Sequence, residues 1–377
     1  MKLGTVIANK FRIDRVIGRG AMGVVVEATD MMLGRKVAVK LILPQHAEDP
    51  QLRGRFIREA QAMTRLKSEH IARVHEVGEL EDGMLFLAME LLEGQSLEQL
   101  IQGGPLPVAD AVDLMLEALD AVTEAHELHL VHRDLKPSNM FLAARKGKDP
   151  ILKVLDFGIV KDKASESRLT ATGTLPGTPA YMAPEQVALE EHLINERADV
   201  WALGITLYEL LTGDVPFTGS MSEMLTKIRS EAPPRLRARR PDVAMELEAL
   251  IMKCLSKHPS DRYANAGELA HALRELRQFG LVRSERGNTR REVQTEMSIA
   301  RKNAAPGVAA GGRVVRETAA TEQDPRMPEK AGARPAQAHA AASGNSAGRL
   351  LAVTILLVTV VAVVALVLAM QGRLSAH

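Results

Sequence analysis

The run from Val131 to Asn139 reads Val-His-Arg-Asp-Leu-Lys-Pro-Ser-Asn, and Asp156-Phe157-Gly158 follows downstream. These two stretches constrain the fold most, because four polar groups of different chemistry must come within reach of one another. Asp134 is a carboxylate able to orient an alcohol and take its proton. Lys136 is a cation suited to neutralising phosphate charge. Asn139 and Asp156 offer hard oxygens suited to magnesium, which takes one or two carboxylates and shares its shell with substrate phosphates. The plain alternative makes Asp134 and Asp156 ordinary loop acids on a solvated surface. The order of the segments around them weighs against it.

Phe11–Gly18 alternates apolar and polar residues, the period of a strand. Gly18-Arg19-Gly20-Ala21-Met22-Gly23 follows and leads into Val24-Val25-Val26. In a dinucleotide-binding fold a helix and an acidic ribose ligand should come next. Here the glycines lie between two β-rich runs, so a hairpin loop over phosphates fits better, with no Cβ to hold the ligand away. Val37-Ala38-Val39-Lys40 reads as another strand. Arg53–Leu66 has helical spacing, with Phe56, Ala60, Met63 and Leu66 on one stripe. Glu59 lies on that segment among Arg55 and Arg58, and on composition alone it is one more solvated charge. Met84–Leu92 reads as a strand.

Further on, Val108–His126 is strongly helical and is expected to pack under the 131–139 loop. His126 and His129 lack an accompanying cysteine or His–Glu pair, so structural histidines are the better reading. Lys161–Ala183 is rich in Ser, Thr, Gly and Lys and reads as a loop. It ends in Gly177-Thr178-Pro179-Ala180-Tyr181-Met182-Ala183-Pro184-Glu185. Arg235–Arg240 is a basic cluster that could dock an acidic partner but is more often a solvated loop, and no interleaved aromatics suggest nucleic acid. Asp199-Val200-Trp201, then His258-Pro259-Ser260-Asp261-Arg262-Tyr263, then an amphipathic Glu268–Leu276 complete the order.

This ordered set resembles the protein Ser/Thr kinase family, over about residues 11–279, and the layout resembles bacterial membrane-anchored kinases. The resemblance implies an α+β, two-lobe kinase fold, with a β-rich N-lobe at about 11–93 and a mainly helical C-lobe at about 95–279. It implies that the glycine loop (Gly18, Arg19, Gly20, Ala21, Met22, Gly23) and Val26 cover ATP. Lys40, held by Glu59, would contact the α- and β-phosphates. Met89 resembles the gatekeeper, and Glu90, Leu91 and Leu92 the hinge against adenine. Asn139 and Asp156 would hold Mg2+, with Mn2+ as a substitute. Asp134 would receive the substrate hydroxyl and Lys136 stabilise the moving phosphoryl group. His132 would support the Asp-Phe-Gly segment. Thr178 would bridge Asp134 and Lys136, Glu185 pair with Arg262, and Asp199 bond the catalytic-loop backbone. Lys136 and Thr178 argue for Ser/Thr rather than Tyr as acceptor. Thr170, Thr172 and Thr174 are candidate activation-loop phosphosites, with Arg133 as the cation that would meet a phosphate.

Composition adds bounds. A net charge of +1 gives no strong field toward nucleic acid, and no nucleic-acid partner is expected. The single cysteine, Cys254, excludes an intramolecular disulfide and sits in an apolar helical pattern, as a buried thiol would. Met1–Lys10 is too short and polar for a secretory signal core.

After Phe279 the character changes. Residues 280–349 are rich in Ala, Gly, Arg and Glu with no aromatic residue, which suggests a disordered linker reaching roughly 45 Å. Residues 350–370 are Leu, Val, Ile and Ala with two Thr and one Met, and carry no charge. At 1.5 Å per residue such a helix spans about 31 Å, the thickness of a hydrocarbon core. The reading is a single-pass membrane helix with the kinase domain cytoplasmic, followed by a short tail at 371–377. A homodimer for phosphorylation in trans is a further expectation. The competing reading is a catalytically weak membrane scaffold that recruits partners. It is disfavoured because Lys40, Asp134 and Asp156 are all present.

Overall fold

Strand β2 (Phe11–Gly20) buries Phe11 and Ile13 and exposes Arg12 between them, as the two-residue period of a half-buried strand requires. The computed structural model describes residues 2–20, 23–43, 50–157, 179–281 and 289–295, all within one compact unit of the chain, residues 1–310. Ala21, Met22, Gly158, Thr170, Thr172, Thr174, Thr178, residues 350–370 and the tail 371–377 lie outside the described residues. Among the described residues no helix is long and apolar enough to cross a membrane.

The N-lobe is one antiparallel sheet. Its strands are β1 (Val6–Ile7), β2, β3 (Gly23–Asp30), β4 (Arg35–Ile42), β5 (Val74–Glu79) and β6 (Leu85–Glu90), in the order β1-β2-β3-β4-β6-β5. β4 is buried on both faces. Val37, Val39 and Leu41 join Phe11, Ile13, Val26, Ala28 and Phe86 in one cluster. Ala38 and Ile42 face the other way, toward Phe56, Ala60 and Met63 of helix α1 (Pro50–Met63). Each large side chain of that stripe contributes about 1.5–3 kcal/mol of burial. The helix stops at Met63 rather than running to Leu66.

The C-lobe begins at β7 (Gly94–Ser96), which pairs with β8 (Met140–Arg145), and β8 pairs in turn with β9 (Lys148–Val154) in a second sheet. Gly94 has φ 151°, and a Cβ there would fall 2.1 Å from the Leu142 carbonyl oxygen, so only glycine fits this crossing. Ser96 caps α2 (Leu97–Ile101). Helix α3 (Val108–Glu127), α4 (Pro184–Val187), α5 (Glu196–Thr212), α6 (Met221–Ser230), α7 (Met245–Cys254) and α8 (Ala266–Gln278) make up the rest. α5 buries almost every side chain, Trp201 and Tyr208 included, and is the central strut. Asn195 caps its start and Gly213, at φ 80°, ends it.

The linker reading is corrected at one place. Residues 289–295 are helical and seated on the C-lobe, with Val293 1% exposed. Averaged over residues 280–349 the composition is that of a tether. Locally, Val293 finds a core to join and Arg290 finds an acidic partner, Glu117, on α3.

Candidate active site

Asp199 organises the 131–139 loop from below. Its carboxylate is fully buried at the start of α5 and accepts the backbone N–H of His132 (2.7 Å) and of Arg133 (2.8 Å). The same Oδ2 accepts from His126 Nε2 at 3.0 Å, while His126 Nδ1 accepts the Ala266 N–H at 3.2 Å. His126 is thus a structural histidine that joins α3, α5 and α8. Arg133 stands at φ 63° and Asp156 at φ 50°, backbone states that cost a non-glycine residue about 1–3 kcal/mol each unless the surroundings hold them. The Asp199 hydrogen bond holds the first.

Above this base the polar groups converge. Asn139 Nδ2 donates to the Asp134 carbonyl (2.8 Å) and to Asp134 Oδ2 (3.1 Å). Lys136 Nζ lies 3.2 Å from the same Oδ2. With its nitrogen committed to Asp134, Asn139 keeps its Oδ1 as the end that can face a cation. Asp156 contributes a carboxylate, and its Oδ1 is 2.9 Å from Lys40 Nζ across the cleft. Among the described residues the ion pair of Lys40 is this one, not the expected pair with Glu59, which lies half-buried on α1. The donor set of Asn139 and Asp156 fits magnesium, which needs no all-protein cage.

His132 joins the two polar stretches. Its Nε2 donates to the Leu155 carbonyl at 2.9 Å, its Nδ1 accepts the Asp134 N–H at 3.3 Å, and its ring packs 4.6 Å from that of Phe157. Burial pushes its imidazole below its ordinary value, so the folded state holds it neutral. A second proton would set a donor on Nδ1 against the Asp134 N–H. The unfolded chain takes up that proton more readily, so stability is lost as pH falls through about 6.5 toward the lowered folded value. The melting temperature is therefore expected to fall between about pH 7 and pH 5.5. A His132→Gln variant, which cannot titrate, should show a smaller fall; an equal fall would remove His132 as the cause.

The glycine loop is a β2–β3 hairpin in which Gly20 faces Gly23. A Cβ on Gly20 would meet nothing and one on Gly18 only Val25 Cβ at 3.8 Å, so both keep the outer side of the hairpin clear. Gly23 has another reason: its Cβ would lie 2.0 Å from the Leu41 carbonyl oxygen. Arg19 is exposed beside them. Val26 is a correction. It is 0% exposed and packs with Phe11, Val37 and Phe86 on the far face of the sheet. Its neighbour Val25 is the cross-strand partner of Lys40 and so shares the face of Lys40, as does Leu87. Counting by two from Lys40 along β4 reaches Ala38, which pairs with Met89 on the same face, whereas Val25 comes to that face only through the β3–β4 register.

Met89 is buried at the end of β6. The Glu90 N–H donates to the Arg73 carbonyl, and its carboxylate accepts from the Arg73 N–H (2.8 Å) and Lys153 Nζ (2.7 Å). Glu90 therefore ties the hinge to β9 rather than opening its side chain toward the cleft. Leu92 is half-buried just beyond. At the far end of the site, Glu185 and Arg262 form the expected pair, bidentate at 2.7 and 2.8 Å. Arg133 Nε is buried and has no hydrogen-bond partner among the described residues.

Comparison with known proteins places this geometry. Residues 11–274 match the family model described as the protein kinase domain. The chain is 39% identical over 271 residues to serine/threonine-protein kinase pkn3 of Myxococcus xanthus, covering 70% of this chain and 49% of that protein. It is 37% identical over 267 residues to serine/threonine-protein kinase PknH of Mycobacterium tuberculosis, covering 70% and 41%. It spans about half the length of the curated relatives it matches, or somewhat less. Among solved structures, the Mycobacterium tuberculosis PknI kinase domain superposes with a TM-score of 0.59 at 29% identity, over 73% of this chain and 99% of that one.

Proposed function

This chain belongs to the protein kinase family, and on that premise we propose that it transfers the γ-phosphoryl group of ATP to Ser and Thr hydroxyls of proteins. One observation carries the reading: Asp134 Oδ2 stands within hydrogen-bond reach of both Lys136 and Asn139, while Lys40 meets Asp156 across the cleft. Asp134 orients the acceptor hydroxyl and receives its proton. Lys136, beside it, faces the charge of the moving phosphoryl group. Lys40 sits on the cleft face with Val25, within 2.9 Å of Asp156, and reaches the non-transferred phosphates. Asn139 Oδ1 and Asp156 would hold Mg2+, or Mn2+ in its place, which supplies positive charge to the phosphates. The transition state is loose, so positioning and charge neutralisation do most of the work.

The buried Nε of Arg133, without a hydrogen-bond partner among the described residues, supports regulation by phosphate on the segment that carries Thr170, Thr172 and Thr174. Thr178, by its place in the motif that ends at Glu185, would serve the substrate pocket. The kinase domain at 11–279 would be tethered through residues 296–349 to a membrane helix at 350–370, with the catalytic part cytoplasmic and encounters in trans favoured. The protein is expected to phosphorylate itself on incubation with Mg2+ and ATP. Mass spectrometry should find phosphate on Thr170, Thr172 or Thr174, and a triple Thr→Ala variant should lose activity. Equal activity in that variant would remove the loop switch from the reading.

A further inference from the structure

Helix α3 carries Asp110, Asp113 and Glu117 at spacings that place them on one face. Arg277 of α8 takes Asp113 at 2.8 Å. The other two are taken by residues 289–295, beyond the end of the matched domain at residue 274. The hydroxyl and the N–H of Thr289 both donate to Asp110 Oδ2. Arg290 donates to Glu117 Oε1 and to the Pro150 carbonyl, each at 2.6 Å, and Val293 closes the contact in the core.

Glu117 has a second task. Its Oε2 accepts the Leu152 N–H at 2.9 Å, so it anchors the middle of β9 to α3. Arg290 grips β9 as well, at Pro150. β9 runs to Val154, and Asp156 follows after Leu155 in a backbone state that only its surroundings maintain. We propose that the acidic face of α3 is the docking surface for this chain's own residues 289–295, and that Arg290, seated there, is a positioning residue for Asp156, acting through Glu117 and β9. The second half rests on the kinase reading above; the docking does not.

The test uses the full-length chain and three variants: Arg290→Ala, Arg290→Lys and Thr289→Glu. Amide hydrogen exchange is followed at 289–295 and 148–154, together with the magnesium concentration that gives half-maximal phosphoryl transfer. In Arg290→Ala both segments exchange faster. The magnesium requirement rises about threefold to tenfold, less than the roughly 10–100-fold seen when a group touching a metal ligand is removed. Arg290→Lys restores part of this, because a point charge cannot grip Glu117 and Pro150 as a fork does. Thr289→Glu sets a carboxylate against Asp110, expels the segment and reproduces the effect with Arg290 intact. Faster exchange at 289–295 with β9 and the magnesium requirement unchanged would overturn the positioning role. Unprotected exchange at 289–295 in the parent would overturn the docking. An inactive parent whose β9 exchange still responds to Arg290→Ala supports the docking and overturns the kinase reading alone.

Discussion

Asp134→Asn is expected to lower phosphoryl transfer by about 10²–10⁴-fold, the range of a positioned general base, while ATP affinity stays near that of the parent. The substitution keeps the shape of the side chain and removes its charge and basicity. Asn139 and Lys136 both aim at Asp134 Oδ2, so an amide there loses the charge-assisted contact as well as the proton acceptor. Nucleotide binding is spared because the groups proposed to hold ATP are Lys40, Asp156 and the β2–β3 hairpin rather than Asp134. Initial rates at saturating ATP, beside calorimetric titration with ATP, separate the two. A variant that transfers phosphate at the parent rate would strip Asp134 of its role.

Arg262→Ala is expected to cost about 3–5 kcal/mol of stability. The side chains of Arg262 and Glu185 are 0% and 1% exposed, and their contact is bidentate. The guanidinium also donates to the carbonyls of Ser256, Arg197 and Lys257, and lies over the Trp201 ring at 5.0 Å. Removing it strands a buried carboxylate and leaves those three carbonyls without their donor. The exposed pair of Arg239 and Asp214, at 3.0 Å, is the contrast. Breaking it should cost less than about 1 kcal/mol, because solvent screens it and the chains must be ordered to meet. Urea melts of the two variants measure both. A double Arg262→Met, Glu185→Met variant should be more stable than Arg262→Ala, since no buried charge is stranded. Equal, small losses for Arg262→Ala and Arg239→Ala would show that the buried pair has no special weight.

The strands and long helices were legible because each buries one face against a nearby layer, which leaves a period in the sequence. The predicted Val108–His126 and the observed Val108–Glu127 differ by one residue for that reason. Asp134, Asn139 and Asp156 were legible because the two stretches that hold them resemble, in order and spacing, the motifs of the protein kinase family. Val26 went wrong through a one-residue slip on a strand, which exchanges the two faces. Lys40 was placed correctly on its strand but met Asp156, because the sequence names acids and not which one lies closest. The docking of 289–295 left no local signal. Arg290 and Glu117 are 173 positions apart, and a short segment with one buried valine is indistinguishable from linker until its partner surface exists. The role of His126 was hidden likewise, since Asp199 and Ala266 come to it from elsewhere in the chain.

The most direct measurement is the transfer of labelled γ-phosphate from ATP to an acceptor protein, with and without magnesium, followed by identification of the labelled amino acids. The account predicts label on Ser and Thr, none on Tyr, and none when magnesium is chelated. ATP bound in the presence of magnesium with all label remaining on the nucleotide would contradict it and favour a scaffold that binds without transferring.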